Sequence, residues 1–265
     1  MLCFARLQGR EMSKSALRVL EIMEFIGGQP TGCSHTAVAQ GLNIPKSSLT
    51  ALLQDLQSKG YLQRNPDTGA FTIGIQVLWL ANSYLRNLNL VKVGQPVVAE
   101  LFSEVKEFSL LAIPSGTEYV VICTESVPSI FGHTLQIGSR GPLCCTALGK
   151  AILAFSPQAY VDDILKASER IAMTRLTKTK EPDVLKELEA ARKSGIARSR
   201  GEAIAGVDGF AAPVFNGAGV PVAALGVGVP SSELTPASIK SIEASLKRAA
   251  AKLSAQLGWQ GSGRI

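Results

Sequence analysis

The chain has 265 residues, 46% of them hydrophobic and 18% charged, and a formal net charge of +6; this is a soluble globular composition, with the length of two domains and apolar material for one large core and one small one. Its five cysteines (Cys3, Cys33, Cys123, Cys144 and Cys145) are odd in number, irregularly spaced and lack a CxxC pair, which argues against a disulfide framework or a zinc knuckle and for reduced thiols. No apolar run approaches the ~18 residues of a spanning helix, residues 1–10 lack the apolar core of a signal peptide, and the basic excess favours a polyanionic partner without identifying it.

Residues 1–12 read as a disordered segment or a mis-assigned start, with Met12 as the true first residue, because the ordered pattern begins just after it. Leu17, Leu20, Ile22, Met23 and Ile26 then recur near helical spacing, and Gly27-Gly28 ends the run. After the turn Gln29-Pro30-Thr31-Gly32, the residues Thr36, Val38, Ala39 and Leu42 predict a short second helix, with His35 just before it. Pro45 restricts its predecessor and suits a new helix start. A third helix is predicted over 47–59 from Leu49, Leu52, Leu53 and Leu56 at i, i+3, i+4, i+7, with Gly60 placed for a left-handed cap. Short extended runs at 61–64 and 70–73 flank Asn65-Pro66-Asp67-Thr68-Gly69 and predict a β-hairpin. Three short helices followed by a hairpin make a winged helix-turn-helix over 13–74. Residues 75–90 carry a helical pattern with no Gly or Pro inside and predict a linker helix of roughly 24 Å.

The stretch 91–260 predicts an α+β domain. Helices are expected at 91–107, 147–155, 157–167, 181–193 and from Thr235-Pro236 to near Leu257. Strands are expected at 109–113, 119–123 and 133–137, and at 206–215 and 220–229 around the hairpin signal Asn216-Gly217-Ala218-Gly219. They belong to a central, largely antiparallel sheet.

In a helix-turn-helix the second helix of the motif enters the major groove and its N-terminal residues face base edges. That face would carry Lys46, Ser47, Ser48, Thr50 and Gln54, with Leu49, Leu52 and Leu53 turned to the core. Short hydroxyls and backbone N–H groups at a helix start suit phosphate oxygens, and a Gln that reaches a base edge pairs with adenine. His35 and Thr36 at the preceding helix are read as cap neighbours or phosphate contacts, and Arg64 as a wing contact to backbone or minor groove.

Several ordered segments carry a wider resemblance: Ala16-Leu17-Arg18-Val19-Leu20-Glu21, Ile44-Pro45-Lys46-Ser47-Ser48, Leu56-Gln57-Ser58-Lys59-Gly60-Tyr61-Leu62, Ile137-Gly138-Ser139-Arg140, Thr146-Ala147-Leu148-Gly149-Lys150-Ala151 and Ala211-Ala212-Pro213-Val214-Phe215. In these the chain resembles the IclR family of bacterial transcription regulators from about Ser15 to Trp259. The resemblance implies a GAF-like, effector-binding C-terminal domain and homodimers or homotetramers on double-stranded operator DNA; composition and the missing motifs add the expectations of a cytoplasmic, nucleoid-associated location, no cofactor, no membrane contact and no enzymatic activity. The family commonly has a large basic residue where this chain has Ala51, so that position of the DNA face loses a contact.

The resemblance also places an effector pocket between the sheet and the 146–154 helix, lined by Leu143, Thr146, Ala147, Leu148, Ser199, Gly209, Gly226 and Gly228. Family members often carry an acidic residue at Ser199, a cysteine at Gly209 and serines at Gly226 and Gly228. Exchanging those polar groups for one hydroxyl and three glycines disfavours two- or three-carbon acids, which need several fixed donors. The expectation is a roomier pocket for a bulkier carboxylate, aromatic or alicyclic, with its anion on the helix start. A vestigial pocket with glycines kept for strand packing is the alternative. Cys144-Cys145 and His133 read as packing and surface residues, and Lys150 as structural or a dimer contact. No GxSxG, HExxH or P-loop is present. A ligand-independent architectural DNA-binding protein, and behind it a small-molecule enzyme, stay as the other readings.

Overall fold

The computed structural model describes residues 14–87, 89–126 and 135–261. The chain divides into two compact units, residues 1–87 and 88–265.

The first unit runs α1 (Lys14–Gly27), α2 (His35–Gly41), α3 (Lys46–Ser58), β1 (Leu62–Arg64), β2 (Phe71–Ile73) and α4 (Ile75–Asn87). Ser34 caps α2 by accepting the Ala37 N–H, satisfying one of the free donors of a helix start. The α3 leucine stripe splits by burial: Leu49, Leu53 and Leu56 are buried, and Leu52 is partly so. They close a core with Ile22 and Ile26 of α1, Val38 and Ala39 of α2, and Leu62 and Phe71 of the hairpin. Asn65 turns the hairpin by accepting the Asp67 and Thr68 N–H groups on Oδ1, an Asx turn. The predicted linker 75–90 falls on α4 and on the start of the next helix at Asn89, with Leu88 outside the described residues.

The second unit comprises α5 (Asn89–Val105), β3 (Phe108–Ser115), β4 (Glu118–Glu125), β5 (Arg140–Pro142), α6 (Ala147–Ala154), α7 (Gln158–Ala167), α8 (Glu181–Ser194), β6 (Ala197–Arg200), β7 (Val207–Phe215), β8 (Pro221–Pro230) and α9 (Pro236–Gln256). Its sheet has the order β5-β4-β3-β8-β7-β6, and every pairing is antiparallel. Because side chains alternate across a strand, Leu111, Leu225 and Phe210 pack with α5 and α9, while Leu110, Ala224 and Ala211 pack with α6 and α8. Thr235 and Ser238 form a reciprocal capping box that starts α9. Ser254 Oγ accepts the Phe215 N–H and ties α9 to the end of β7.

Two expectations shift. The 133–137 strand is not found: residues 133 and 134 lie outside the described residues, and 135–137 are not strand. The pairing with β4 is made by β5 instead, where Tyr119 faces Gly141. The edge strand β6 carries no strand signal of its own. Its Ala-Arg-Ser-Arg sequence has no apolar run, so only the pairing with β7 makes it extended. The expected start at Met12 and the expected surface residue His133 also lie outside the described residues. No helix of the described residues is long and apolar enough to cross a membrane.

Candidate functional site

In the first unit, Pro45 precedes α3 and leaves its first turn without a side-chain cap, so the orphan N–H groups of that turn stay available to an acceptor. Lys46, Ser47, Ser48, Ala51 and Gln54 are all exposed along α3, a polar edge backed by buried leucines. Thr50 is different. Its hydroxyl donates to the Lys46 carbonyl at 2.9 Å, so the 3.0 Å contact with His35 Nε2 has the imidazole N–H as donor. Thus His35, the first residue of α2 rather than a residue before it, clamps α2 to α3, and Thr50 has no proton left for a base. Thr36 is exposed on the same helix. Arg64 Nε donates to the Gly69 carbonyl at 3.3 Å, and its guanidinium lies 5.7 Å from the Phe71 ring centre. Both hold the arginine over the hairpin turn.

In the second unit, strand register builds a cleft. Ser199 of β6 faces Gly209 of β7, Gly209 faces Gly228 of β8, and Gly228 faces Phe108 of β3. In the next row Ala211 faces Gly226, which faces Leu110. These rows of small residues lie on the α6 side of the sheet and leave a gap beneath the helix start. The atom-free space there is about 480 Å³, partly open to solvent. Thr146, Ala147, Leu148, Ser199, Gly209, Gly226 and Gly228 all line it. Leu143 does not. It is fully buried below α6, where Gly149 lets the helix lie on the Leu143 backbone: a β-carbon there would sit 2.2 Å from Leu143 Cα. Phe108, Leu110, Tyr119, Ala203, Ile204 and Val207 line it too, with Leu135, Phe210 and Val227. Leu110 and Tyr119 sit on predicted strands and Phe108 just before one, and pairing with β8 and β5 fixes their places.

The glycines do not all add room. A β-carbon on Gly226 would lie 2.8 Å from Leu148 Cδ2 and 3.1 Å from Leu110 Cδ2, so leucines already occupy that space. At Gly228 the nearest atom would be 3.7 Å away, which is ordinary contact.

The cleft has no charged lining residue. Ser199 and the start of α6 flank Gly209, whereas the Tyr119 hydroxyl lies over Gly141 of β5, with four strands between β5 and β6. Thr146 caps α6, accepting the Gly149 N–H at 3.2 Å and donating to the Pro142 carbonyl at 2.9 Å. The Ala147 and Leu148 N–H groups belong to the free donors of that first turn. Ser199 is 2% exposed, and its hydroxyl has no hydrogen-bond partner among the described residues; such a buried group is unfavourable unless something else satisfies it. Burial, helped by the Glu118 carboxylate, pushes the Tyr119 phenol up from 10.0 to about 12, so it stays a neutral donor. Cys144 and Cys145 are fully buried with sulfurs 3.2 Å apart, below the helix start. No group of metal-ligating side chains is assembled among the described residues. Lys150 is not at a surface. It is 1% exposed and paired with Glu202 inside the domain, which rules out direct contact with another subunit.

A winged helix-turn-helix joined in one chain to an α+β domain with an apolar cleft defines a ligand-sensing class of DNA-binding transcription regulators. Residues 15–66 match the IclR helix-turn-helix domain, and residues 82–255 match the bacterial transcriptional regulator IclR C-terminal domain. The chain belongs to the IclR family of transcriptional regulators. It is 29% identical over 252 residues to the DNA-binding transcriptional repressor YiaJ of Escherichia coli strain K12, covering 93% of this chain and 89% of that protein. The crystal structure of Thermotoga maritima IclR superposes with a TM-score of 0.75 at 26% identity, covering 92% of this chain and 99% of that one. An IclR homologue from Microbacterium hydrocarbonoxydans, complexed with 4-hydroxybenzoate, shares the fold with a TM-score of 0.76 at 21% identity, over 92% and 98% of the two chains.

Proposed function

We propose that this regulator is controlled by a monocarboxylate with an apolar, aromatic or alicyclic body, and that it is not an enzyme. The observation that carries this reading is the buried, unpartnered Ser199 hydroxyl at the polar end of an otherwise apolar cleft. The carboxylate sits on the α6 start, against the Ala147 and Leu148 N–H groups, where the helix dipole and free donors favour an anion. Ser199 supplies a hydrogen bond that orients it, and Phe108, Leu110 and Val207 cover the ring. The structural relative bound to 4-hydroxybenzoate supports a ligand of this shape.

On the DNA side, Lys46, Ser47, Ser48 and Gln54 enter the major groove, with Ala51 in the same face, Thr36 on phosphate and Arg64 at the wing. His35 and Thr50 hold the two helices at the angle the groove requires. Ile75, Leu78 and Leu80 are exposed on α4, and their cover is the α4 helix of a second copy. A two-fold dimer reads half-sites about 10 bp apart or a multiple of it. The protein works on cytoplasmic operator DNA, and the effector acts by preferring one arrangement of the DNA-binding heads.

Thermal-shift screening of benzoate and 4-hydroxybenzoate against glyoxylate and pyruvate tests the effector class. The aromatic acids should raise the melting temperature in a concentration-dependent way. Stabilisation by the two- and three-carbon acids alone overturns the class. If no acid shifts melting or footprint, a ligand-independent architectural role replaces it.

A further inference from the structure

We propose that Lys150 and Glu202 are positioning residues for the effector: their buried pair anchors the strap of residues 201–206, so that Ala203 and Ile204 form one wall of the cleft. This deepens the proposed function and rests on the cleft being the effector site.

Lys150 Nζ donates to four acceptors drawn from three places. These are Glu202 Oε1 and Oε2 at 3.0 and 3.1 Å, the Arg198 carbonyl at 3.0 Å and Glu187 Oε2 at 3.3 Å. Both ends of the main pair are buried, with Lys150 at 1% and Glu202 at 3% exposure. Glu202 also accepts the Arg200 N–H at 3.3 Å. Strand β6 is the edge of its sheet, so Arg198 C=O and Arg200 N–H have no further strand to bond. Lys150 and Glu202 stand in for that strand, and thereby decide where the chain leaves β6.

The strap begins where β6 ends. Gly201 and Gly206 bracket it in left-handed conformations, at φ +64° and +77°. Thr174 Oγ1 donates to the Gly201 carbonyl and Thr177 Oγ1 to the Glu202 carbonyl, at 2.8 and 2.6 Å. The Ser231 N–H holds the Gly206 carbonyl at 2.8 Å. The two ends are therefore pinned, while Ala203 and Ile204 between them line the cleft. Lys150 sits in α6 four residues after its cap, Thr146, and the first turn of the same helix also lines the cleft. One side chain thus joins the helix that receives the ligand to the strap beside it.

Stability alone is a poor reason to bury this pair. Desolvating a lysine and a carboxylate costs about what their attraction returns, and well-packed apolar replacements are often neutral or stabilising. What an apolar pair lacks is direction, because it makes no bonds to the Arg198 carbonyl or the Arg200 N–H.

The Arg200–Gly201 bond is a trypsin site at the root of the strap, and Arg200 is exposed. The test compares the full-length protein with the variant Lys150→Met, Glu202→Leu, in trypsin cleavage at that bond and in calorimetric affinity for 4-hydroxybenzoate. The double variant should melt within about 5 °C of the parent. It should nevertheless be cut about tenfold faster and bind the acid about tenfold more weakly, because the strap opens locally without global unfolding. A folded double variant that is cut and binds like the parent overturns the proposal. Should it fail to fold, Glu202→Gln carries the same two measurements, and unchanged values overturn the proposal equally. If the parent binds no aromatic acid, the effector reading fails, and the cleavage rates still decide whether the pair holds the strap.

Discussion

A β-carbon built on Gly226 would approach Leu148 Cδ2 to 2.8 Å, so the glycine in β8 and the leucine in the first turn of α6 are halves of one fit. Both line the cleft. The leucine end, not the backbone, sets how much of the cleft a ligand can use.

Gly226→Ser should therefore push the Leu148 side chain into the cleft. The expected cost is about 1–3 kcal/mol for overpacking, read as a lower urea midpoint, together with weaker binding of 4-hydroxybenzoate. Adding Leu148→Ala should restore binding by returning the space. Full affinity in the Gly226→Ser single variant would show that the cleft does not depend on this fit.

Ser199→Ala separates stability from recognition. The hydroxyl is buried and unpartnered without ligand, so its removal should leave thermal stability unchanged or raise it slightly. Ligand affinity should fall about tenfold, the worth of roughly one good hydrogen bond. A variant that loses stability and keeps affinity would show that Ser199 serves packing only.

On α3, Lys46 and Gln54 should fail in different ways. Lys46→Ala should weaken all duplexes alike and reduce the slope of log K against log salt by about 1. Gln54→Ala should cost about 1–3 kcal/mol on the preferred operator and little on random duplex. Titrations against the chain's own upstream region at several salt concentrations distinguish the two. Identical profiles for both variants would remove Gln54 from base reading.

Alkaline unfolding should report the burial of Tyr119. Its phenol is raised from 10.0 to about 12, first by burial and then by the Glu118 carboxylate. Above pH 10 the unfolded chain releases this proton while the folded chain keeps it. The contribution is thus whole below pH 10 and declines by roughly 2–3 kcal/mol as pH climbs through 12. Urea midpoints across this range should fall less steeply for Tyr119→Phe than for the parent. Equal slopes would mean that the phenol ionises freely in the folded state.

The amino-acid sequence determined those features whose signals are local. The leucine stripe of α3, the Pro and Gly that bracket it and the Asn65–Gly69 turn lie within a few residues of the structure they specify, so the winged helix-turn-helix was legible almost element by element. The cleft residues were named through the family resemblance rather than through any local pattern, and their role in binding is a proposal. Tertiary structure decided the rest, because the decisive groups meet only across the fold. Strand β6 is extended because β7 pairs with it. His35 is occupied because Thr50 comes beside it. Leu143 leaves the cleft because Gly149 lets α6 settle on its backbone. Gly226 adds no room because Leu148 fills it. Lys150 is buried because Glu202 arrives at the end of an edge strand with no neighbour. Residue type and spacing encode periodicity and turn chemistry. They do not encode which distant side chain will satisfy a buried charge or fill a missing β-carbon, since that depends on which elements pack together.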